Sequence, residues 1–344
     1  MTSLHPALSW RPLADSDLPA IAELAGVCLA ADGGQPFAAS AGFVRQSYLA
    51  GAETTGGWDA GELICVSALR RPSPAAPAGG AGPGTPAGGT PAGGIAGGPA
   101  RPAVTTGLVH PRWRRRGVGG TAFDWAASAW AAGPSGPGGL QAETEALSDA
   151  AHALYLSRAM RQIFAEDIMQ LPATAQLPAA SGPPGLTLSQ WSQPAPGQPA
   201  PGQPAAGQPA RASAGPARFF AVYAAAFGDR PGFPGWPQQR WAEWISADDD
   251  FRPELTLLAT VRGADTGFIV GDAAGWIAQM GVAPAARGQG IGARLISEAV
   301  RLMRAAGEST ITLNVNADNP HAIALYRRLG FIRAGRRAKY RAPA

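Results

Sequence analysis

Along the last third of the chain the apolar residues follow two periods. From Ile291 they recur at helical spacing through Leu295, Ile296, Ala299, Leu302, Met303 and Ala306, while Arg294, Glu298, Arg301 and Arg304 occupy the other face and Gly307 follows as a stop. That spacing predicts one amphipathic helix. Ahead of it, residues 255–261, 267–271 and 276–282 are short β-rich runs divided by Gly/Asp turns, which predicts three strands. Behind it, residues 310–316 alternate, with Ile311, Leu313 and Val315 on one face, and predict a fourth. Asn319-Pro320 pairs an N-cap with a first helical position, opening a helix that ends at Gly330. Strands, helix, strand, helix, strand: the order predicts an α/β fold on a mixed sheet.

The same arrangement is legible, more faintly, upstream. Residues 8–10 read as a strand, Asp15 as an N-cap, and Leu18, Ile21 and Leu24 as the inner face of a helix; residues 186–191 and 219–227 are their counterparts. The run Val109-His110-Pro111-Arg112-Trp113-Arg114-Arg115-Arg116-Gly117-Val118-Gly119 recurs as Val282-Ala283-Pro284-Ala285-Ala286-Arg287-Gly288-Gln289-Gly290-Ile291-Gly292. Leu154-Tyr155 then recurs as Leu325-Tyr326. A repeat at this spacing predicts a duplication, with one fold over residues 1–176 and a second over residues 177–344.

Composition changes this picture in one respect. The 344 residues include 46 Gly and 33 Pro, concentrated in residues 72–102 and 192–216. Neither tract can bury a core, so each is expected to be a lengthened loop inside its own half, the first of them between the β-like runs 63–66 and 104–109. Glycine shows no three-residue period and no apolar run approaches the ~20 residues of a membrane span, which excludes collagen and a bilayer helix. The first residues carry neither a basic nor an apolar leader pattern, and two cysteines, Cys28 and Cys65, cannot make a disulfide framework or a structural zinc site. A reduced, cytoplasmic setting is the expectation, with both cysteines buried. The net charge is +4, and Lys339 is the sole lysine. So small an excess points away from nucleic acid and allows an anionic ligand where arginines cluster.

Chemistry concentrates in residues 287–292. A loop between strand and helix presents the unpaired first-turn N–H groups at the positive end of the helix dipole, a ready anion site. Gly288, Gly290 and Gly292 let a diphosphate approach the backbone, and Arg287 adds a planar charged donor. A P-loop NTPase would need Lys-Ser/Thr at the helix start, which Ile291-Gly292-Ala293 does not offer. A dinucleotide fold would want an acidic residue at the end of the next strand, where the chain has Asn314 and Asn316.

Val-x-Pro-x-x-Arg-Gly-x-Gly-Ile-Gly, followed by a helix, a strand and Asn319-Pro-His-Ala-Ile-Ala-Leu-Tyr326, resembles the GNAT superfamily of N-acetyltransferases over nearly all of residues 186–342. The first half resembles it through residues 109–119 and Tyr155. The tandem arrangement resembles that of the mycothiol synthase family, whose acceptor is a cysteinyl amino sugar. The resemblance implies two tandem GNAT folds, with acetyl-CoA as co-substrate and no metal. It implies a coenzyme site of Met280, Gly281, Val282, Arg287, Gly288, Gln289, Gly290, Ile291, Gly292 and Asn319. The preceding strand would pair with the pantetheine arm. Tyr326 would be the general acid for the departing thiolate, a phenol still protonated at neutral pH. A main-chain N–H near Met280 to Val282 would meet the oxyanion. Val109, Arg114, Arg115, Arg116, Gly117, Val118 and Gly119 would form a weaker, auxiliary coenzyme site, with Tyr155 in the place of Tyr326.

No carboxylate stands on residues 275–279, where many relatives carry a glutamate, so water or a residue from elsewhere must serve as the base. Asp249, within the run Asp248 to Asp250, and Trp236, in the loop 226–236, are the candidates for the acceptor site. His110, His152 and His321 show no ligand spacing and suit surface or capping positions. The expected activity is N-acetylation of a primary amine on a small molecule or peptide, by a monomer with an internal pseudo-dimer or by a homodimer. The rival is a non-catalytic acyl-CoA-binding sensor, which the missing strand carboxylate favours.

Overall fold

A computed structural model describes residues 5–72, 101–133, 138–192, 213–228 and 233–343. Most of both Gly/Pro-rich tracts, and residues 229–232 of the loop 226–236, lie outside the described residues. The first half contains β1 (Ser9–Arg11), α1 (Leu18–Asp32), α2 (Ala41–Val44), β2 (Ala52–Asp59), β3 (Glu62–Arg70), β4 (Ala103–Val109), α3 (Val118–Ala132), β5 (Leu140–Thr144), α4 (Asp149–Ser157) and β6 (Arg161–Leu171). The second contains β7 (Leu186–Trp191), β8 (Ser213–Ala214), α5 (Pro216–Phe227), α6 (Gln238–Ser246), β9 (Leu257–Val261), β10 (Ala264–Gly271), β11 (Trp276–Val282), α7 (Ile291–Ala305), β12 (Ile311–Asn316), α8 (Pro320–Arg328) and β13 (Ile332–Arg341). The α/β expectation holds, and every strand read from periodicity in the second half is present.

All described strands join one thirteen-stranded mixed sheet in the order β1-β2-β3-β4-β5-β13-β6-β12-β11-β10-β9-β7-β8. The halves exchange their last strands. β13 runs antiparallel between β5 of the first half and β6, and β6 runs antiparallel against β12 of the second. Complementary charge accompanies the exchange: Arg337 Nε donates to Glu166 at 2.9 Å and Arg336 Nε to Asp167 at 2.7 Å. Glu166, Asp167 and Arg337 are all buried. Removing one partner of such a buried pair costs about 3–5 kcal/mol, so these contacts make each half depend on the other's last strand.

The cores follow the same logic. α7 and α8 pack on one face of β9 to β12, and Met169 and Leu171 of β6 complete that cluster from the first half. Around Tyr155 the reverse occurs, with Ala338 and Tyr340 of β13 filling the first half's core. The other face of the second-half strands carries an aromatic layer of Trp191, Phe219, Tyr223, Trp241 and Phe268 under α5 and α6.

Two expectations change. Glu298 is buried on α7 instead of solvated, because Arg294 and Arg301 close over its carboxylate at 2.9 and 2.7 Å. At the start of α1 it is Asp17, not Asp15, that holds the N-cap position, and its side chain turns back from the helix: its Oδ2 accepts from Ala14 N at 2.9 Å and its carboxylate takes Arg11, while Asp15 pairs with Arg45. Aspartates two apart look alike in sequence, and only the turn geometry separates them.

Candidate functional site

β11 and β12 run parallel but pair only at Trp276↔Thr312 and Ile277↔Leu313. Beyond that level the strands part. On its other edge β11 carries a register shift against β10, from Gly271↔Ile277 to Val270↔Gln279, so Ala278 is an extra residue. A bulge of this kind bends and twists its strand and re-aims the side chains beyond it. Gln279 now faces the aromatic layer, its Oε1 accepting from Trp241 Nε1 at 3.3 Å, and Met280 and Val282 pack toward α7. In the first half β4 and β5 also part, after Thr105↔Ala142, but β4 pairs with β3 without any shift.

The open end of the gap leads into the loop. Gly288 (φ 78°) and Gly290 (φ 82°) are both left-handed, and α7 begins at the next residue, so its first-turn N–H groups face outward from a backbone with no Cβ over it. The first half builds the same loop with Arg115 (φ 62°) and Gly117 (φ 87°), which places a non-glycine residue in a conformation costing roughly 1–2 kcal/mol. Arg287 does not reach out freely. Its Nε donates to Val282 O and its Nη2 to Ala226 O, both at 3.1 Å, bracing the loop on β11 and on the end of α5. Arg114 repeats the first contact, with Nε to Val109 O at 3.2 Å, and gives both Nη groups to the Asp32 carboxylate at 2.6 Å. A Cβ at Gly290 would stand 2.9 Å from Ser181 O, because the segment joining the halves passes beside the loop.

The second motif also repeats in three dimensions. Asn319 Oδ1 caps α8 by accepting from Ala322 N at 3.1 Å, and Ser148 Oγ caps α4 through Ala151 N at the same distance. Tyr326 is 6% exposed, packed 5.8 Å from Phe331 in the core that holds Leu313 and Val315. Tyr155 is 7% exposed, with its ring 4.7 Å from Tyr340, and burial pushes its phenol up to about 12. Gly292 lets Leu325, Met280 and Val282 converge at the start of α7, as Gly119 does for Leu154 and Val109 in the first half.

The structure therefore brings Met280, Val282 and Leu325 together at Gly292, with Tyr326 in the same core and Asn319 capping the same helix, and separately gathers Val109, Arg114, Arg115, Gly117, Gly119 and Tyr155 around one cavity. Asp249 stays apart. The run Asp248 to Asp250 folds against the β10–β11 turn, with Ala273 N donating to Asp250 O at 2.8 Å, at the start of β11 and about 20 Å of strand from the loop. Trp236 is buried between Trp244 and the Arg240 guanidinium, as a member of the aromatic layer. His110 caps its own turn by accepting from Arg112 N, and His152 meets Tyr340 Oη at 2.6 Å. Cys28 and Cys65 are buried, and burial pushes both thiols up, Cys28 to about 11. Among the described residues no helix is long and apolar enough to cross a membrane.

Two features escaped the sequence reading. A cavity of about 570 Å³ opens in the first half, lined by Thr106, Val109, Arg114, Gly119 and Tyr155 among others. The Asp32 partner of Arg114 is distant in sequence and carries no motif. The exchange itself left a trace, an acidic pair Glu166-Asp167 in β6 and a basic pair Arg336-Arg337 in β13.

The acetyltransferase (GNAT) family model matches residues 220–331, the stretch holding the bulge, the loop and α8. The second half is similar to the GNAT family across that stretch. With two copies of the loop, cap and tyrosine on one sheet, the chain has a tandem GNAT fold. Over 95 residues it is 40% identical to the N-alpha-acetyltransferase MAK3 of Arabidopsis thaliana, covering 26% of this chain and 50% of that protein. The chain thus spans about half the length of that relative. A mycothiol acetyltransferase of Nocardioides sp. is 29% identical over 247 residues, 66% of this chain and 76% of that one. In fold, the tandem GNAT architecture is similar to a GCN5-related N-acetyltransferase from Sphaerobacter thermophilus, with a TM-score of 0.63 at 24% identity over 98% of this chain and 96% of that one. It is also similar to a tandem GNAT protein from the clavulanic acid biosynthesis pathway, with a TM-score of 0.50 at 18% identity over 98% and 99% of the two chains.

Proposed function

We propose that the protein is an N-acetyltransferase that moves an acetyl group from acetyl-CoA to a primary amine of a small molecule or peptide, by direct attack in the second half. The observation that carries this reading is the bulged gap between β11 and β12, which opens onto two left-handed glycines at the N-terminus of a fifteen-residue helix. A diphosphate fits that cradle, which a Cβ would fill. Residues 287–292 would hold the pyrophosphate, the free edge of Met280 to Val282 the pantetheine arm, and Asn319 would stand beside it. Acetyl-CoA supplies the activated acyl group as a thioester.

The remaining work falls to the chain. Beyond Ala278 the β11 backbone has no ladder partner on β12, so an N–H there is available to meet the oxyanion as the amine adds. Tyr326 would return a proton to the departing thiolate from the helix side of the sheet. Residues 109 and 114–119 read as an auxiliary coenzyme site in the first half. Within this function, the long match to a mycothiol acetyltransferase favours a cysteinyl amino sugar as acceptor. Thiol release from acetyl-CoA against a panel of amines, the amino sugar included, tests both levels. Amine-dependent release is expected; slow hydrolysis alone, whatever the amine, would instead mark a sensor.

A further inference from the structure

β11 lacks a carboxylate, yet the gap is not without a polar group fitted to an amine. Asn314 is the first β12 residue beyond the last pair with β11. It faces away from Leu313 and Val315, and so lies on the side of the sheet opposite the core that holds Tyr326. Its Nδ2 donates to the Glu166 carboxylate on β6 at 3.3 Å, and the same carboxylate oxygen accepts from Arg337 Nε at 2.9 Å. An amide that gives its NH2 group to β6 turns its carbonyl oxygen away from β6, toward β11 and the gap. That oxygen, Asn314 Oδ1, is buried and has no hydrogen-bond partner among the described residues. Buried acceptors left unpaired are few in folded proteins and are destabilising, so one aimed into a gap calls for a donor.

We infer that Asn314 Oδ1 accepts an N–H of the attacking amine and so orients its lone pair toward the thioester. This rests on the transferase reading above. Glu166 is the positioning residue: its negative charge fixes which end of the amide faces the gap, and it comes from the first half through the exchanged strand. The nucleophile and the acid would then lie on opposite faces of the sheet, with the reacting carbon between them. At the equivalent place on β5 the first half carries Glu143, already engaged by Lys339 at 3.0 Å and Gln141 Nε2 at 2.6 Å. Both contacts fall on Oε1 of a carboxylate, where the second half has a neutral amide with an unpaired oxygen.

The test uses the full chain, acetyl-CoA and the best amine of the panel, with thermal melting run alongside. Asn314→Ala should raise the KM for the amine about tenfold or more, the scale of one lost hydrogen bond in a buried site, while the KM for acetyl-CoA stays within about twofold. Asn314→Val, whose β-branched side chain suits a strand interior, carries the measurement if the alanine variant does not fold. Glu166→Gln should raise the amine KM by a smaller factor in the same direction, with the acetyl-CoA KM again unchanged, because a neutral partner no longer dictates the amide's orientation. An amine KM within twofold of wild type in both Asn314 variants overturns the inference and leaves the transferase standing. A wild-type protein that binds acetyl-CoA but shows no amine-dependent release overturns the transferase, and the inference with it.

Discussion

The two halves share a frame and differ at the reacting end of it. In both, a left-handed pair of residues leads into a helix, an arginine Nε is tied to the carbonyl of a valine five residues back, and a polar cap starts the helix that carries a buried tyrosine. Each of these contacts fixes backbone, and each is present twice. The differences lie elsewhere. The second half has a bulge in the strand before its loop, glycine at both left-handed positions and an unpaired amide oxygen at the gap. The first half has an unshifted strand, an arginine at the first left-handed position and an aspartate neutralising its loop arginine. Shape has been kept in both copies, while the groups that would meet a phosphate or a nucleophile have diverged.

That contrast can be broken most directly at the loop. Gly290→Glu places a side chain in left-handed backbone, against Ser181 O, and puts a negative charge where a pyrophosphate would sit. Acetyl-CoA affinity at the second site should fall by about a hundredfold or more, roughly 3 kcal/mol, in calorimetry, and an unchanged affinity would refute the site. The tyrosines sharpen the contrast next. Tyr326→Phe should lower turnover about a hundredfold with coenzyme affinity kept, the range of one general acid, whereas Tyr155→Phe should leave turnover as it is. Equal losses in the two variants would mean that both halves react.

A smaller effect separates the turns before the two loop strands. In the second half this turn is short and holds Asp272, whose buried carboxyl is pushed up to about 7 by burial, with Asp248 and Asp250 adding to it against the N–H groups of Trp276 and Ala274. The first half has the long tract there. Because the folded protein holds this proton more tightly than the unfolded chain, Asp272 contributes stability at pH 4 that is lost as pH rises toward 7, by a few kcal/mol at ~1.4 per unit. Asp272→Asn should flatten that slope in melting experiments and exceed wild type above pH 7. A slope unchanged by the substitution would remove the assignment. The smallest effect is Arg115→Gly, which should stabilise the first half by about 1 kcal/mol in denaturant unfolding by relieving left-handed strain. A destabilised variant would show that the arginine side chain contributes more than its backbone conformation costs.

Much of this was legible in sequence where the cause is local. Periodicity placed β9 to β12 and α7, and Gly288, Gly290 and Asn319 announced a loop and a cap, because left-handed backbone and helix starts select residue types at the position itself. The exchange of β6 and β13 was not legible as such, since pairing partners are set by contacts between distant segments. The bulge at Ala278 leaves no residue signature, because alanine fits either register. Asn314 was seen only as a residue that is not acidic; its meaning depends on Glu166, far away in the chain. Asp249 and Trp236 are candidates by residue type and by place in the chain, and the fold puts the first at the far end of β11 and the second in an aromatic layer.

The central claim is that the second half is where an acetyl group would be transferred. Amine-dependent thiol release from acetyl-CoA, measured on the full chain in paired loop variants, tests it. Gly290→Glu is expected to abolish the release while Gly117→Glu, its first-half counterpart, keeps it near wild type. Release that survives Gly290→Glu and is lost in Gly117→Glu would contradict the account and move the chemistry to the first half.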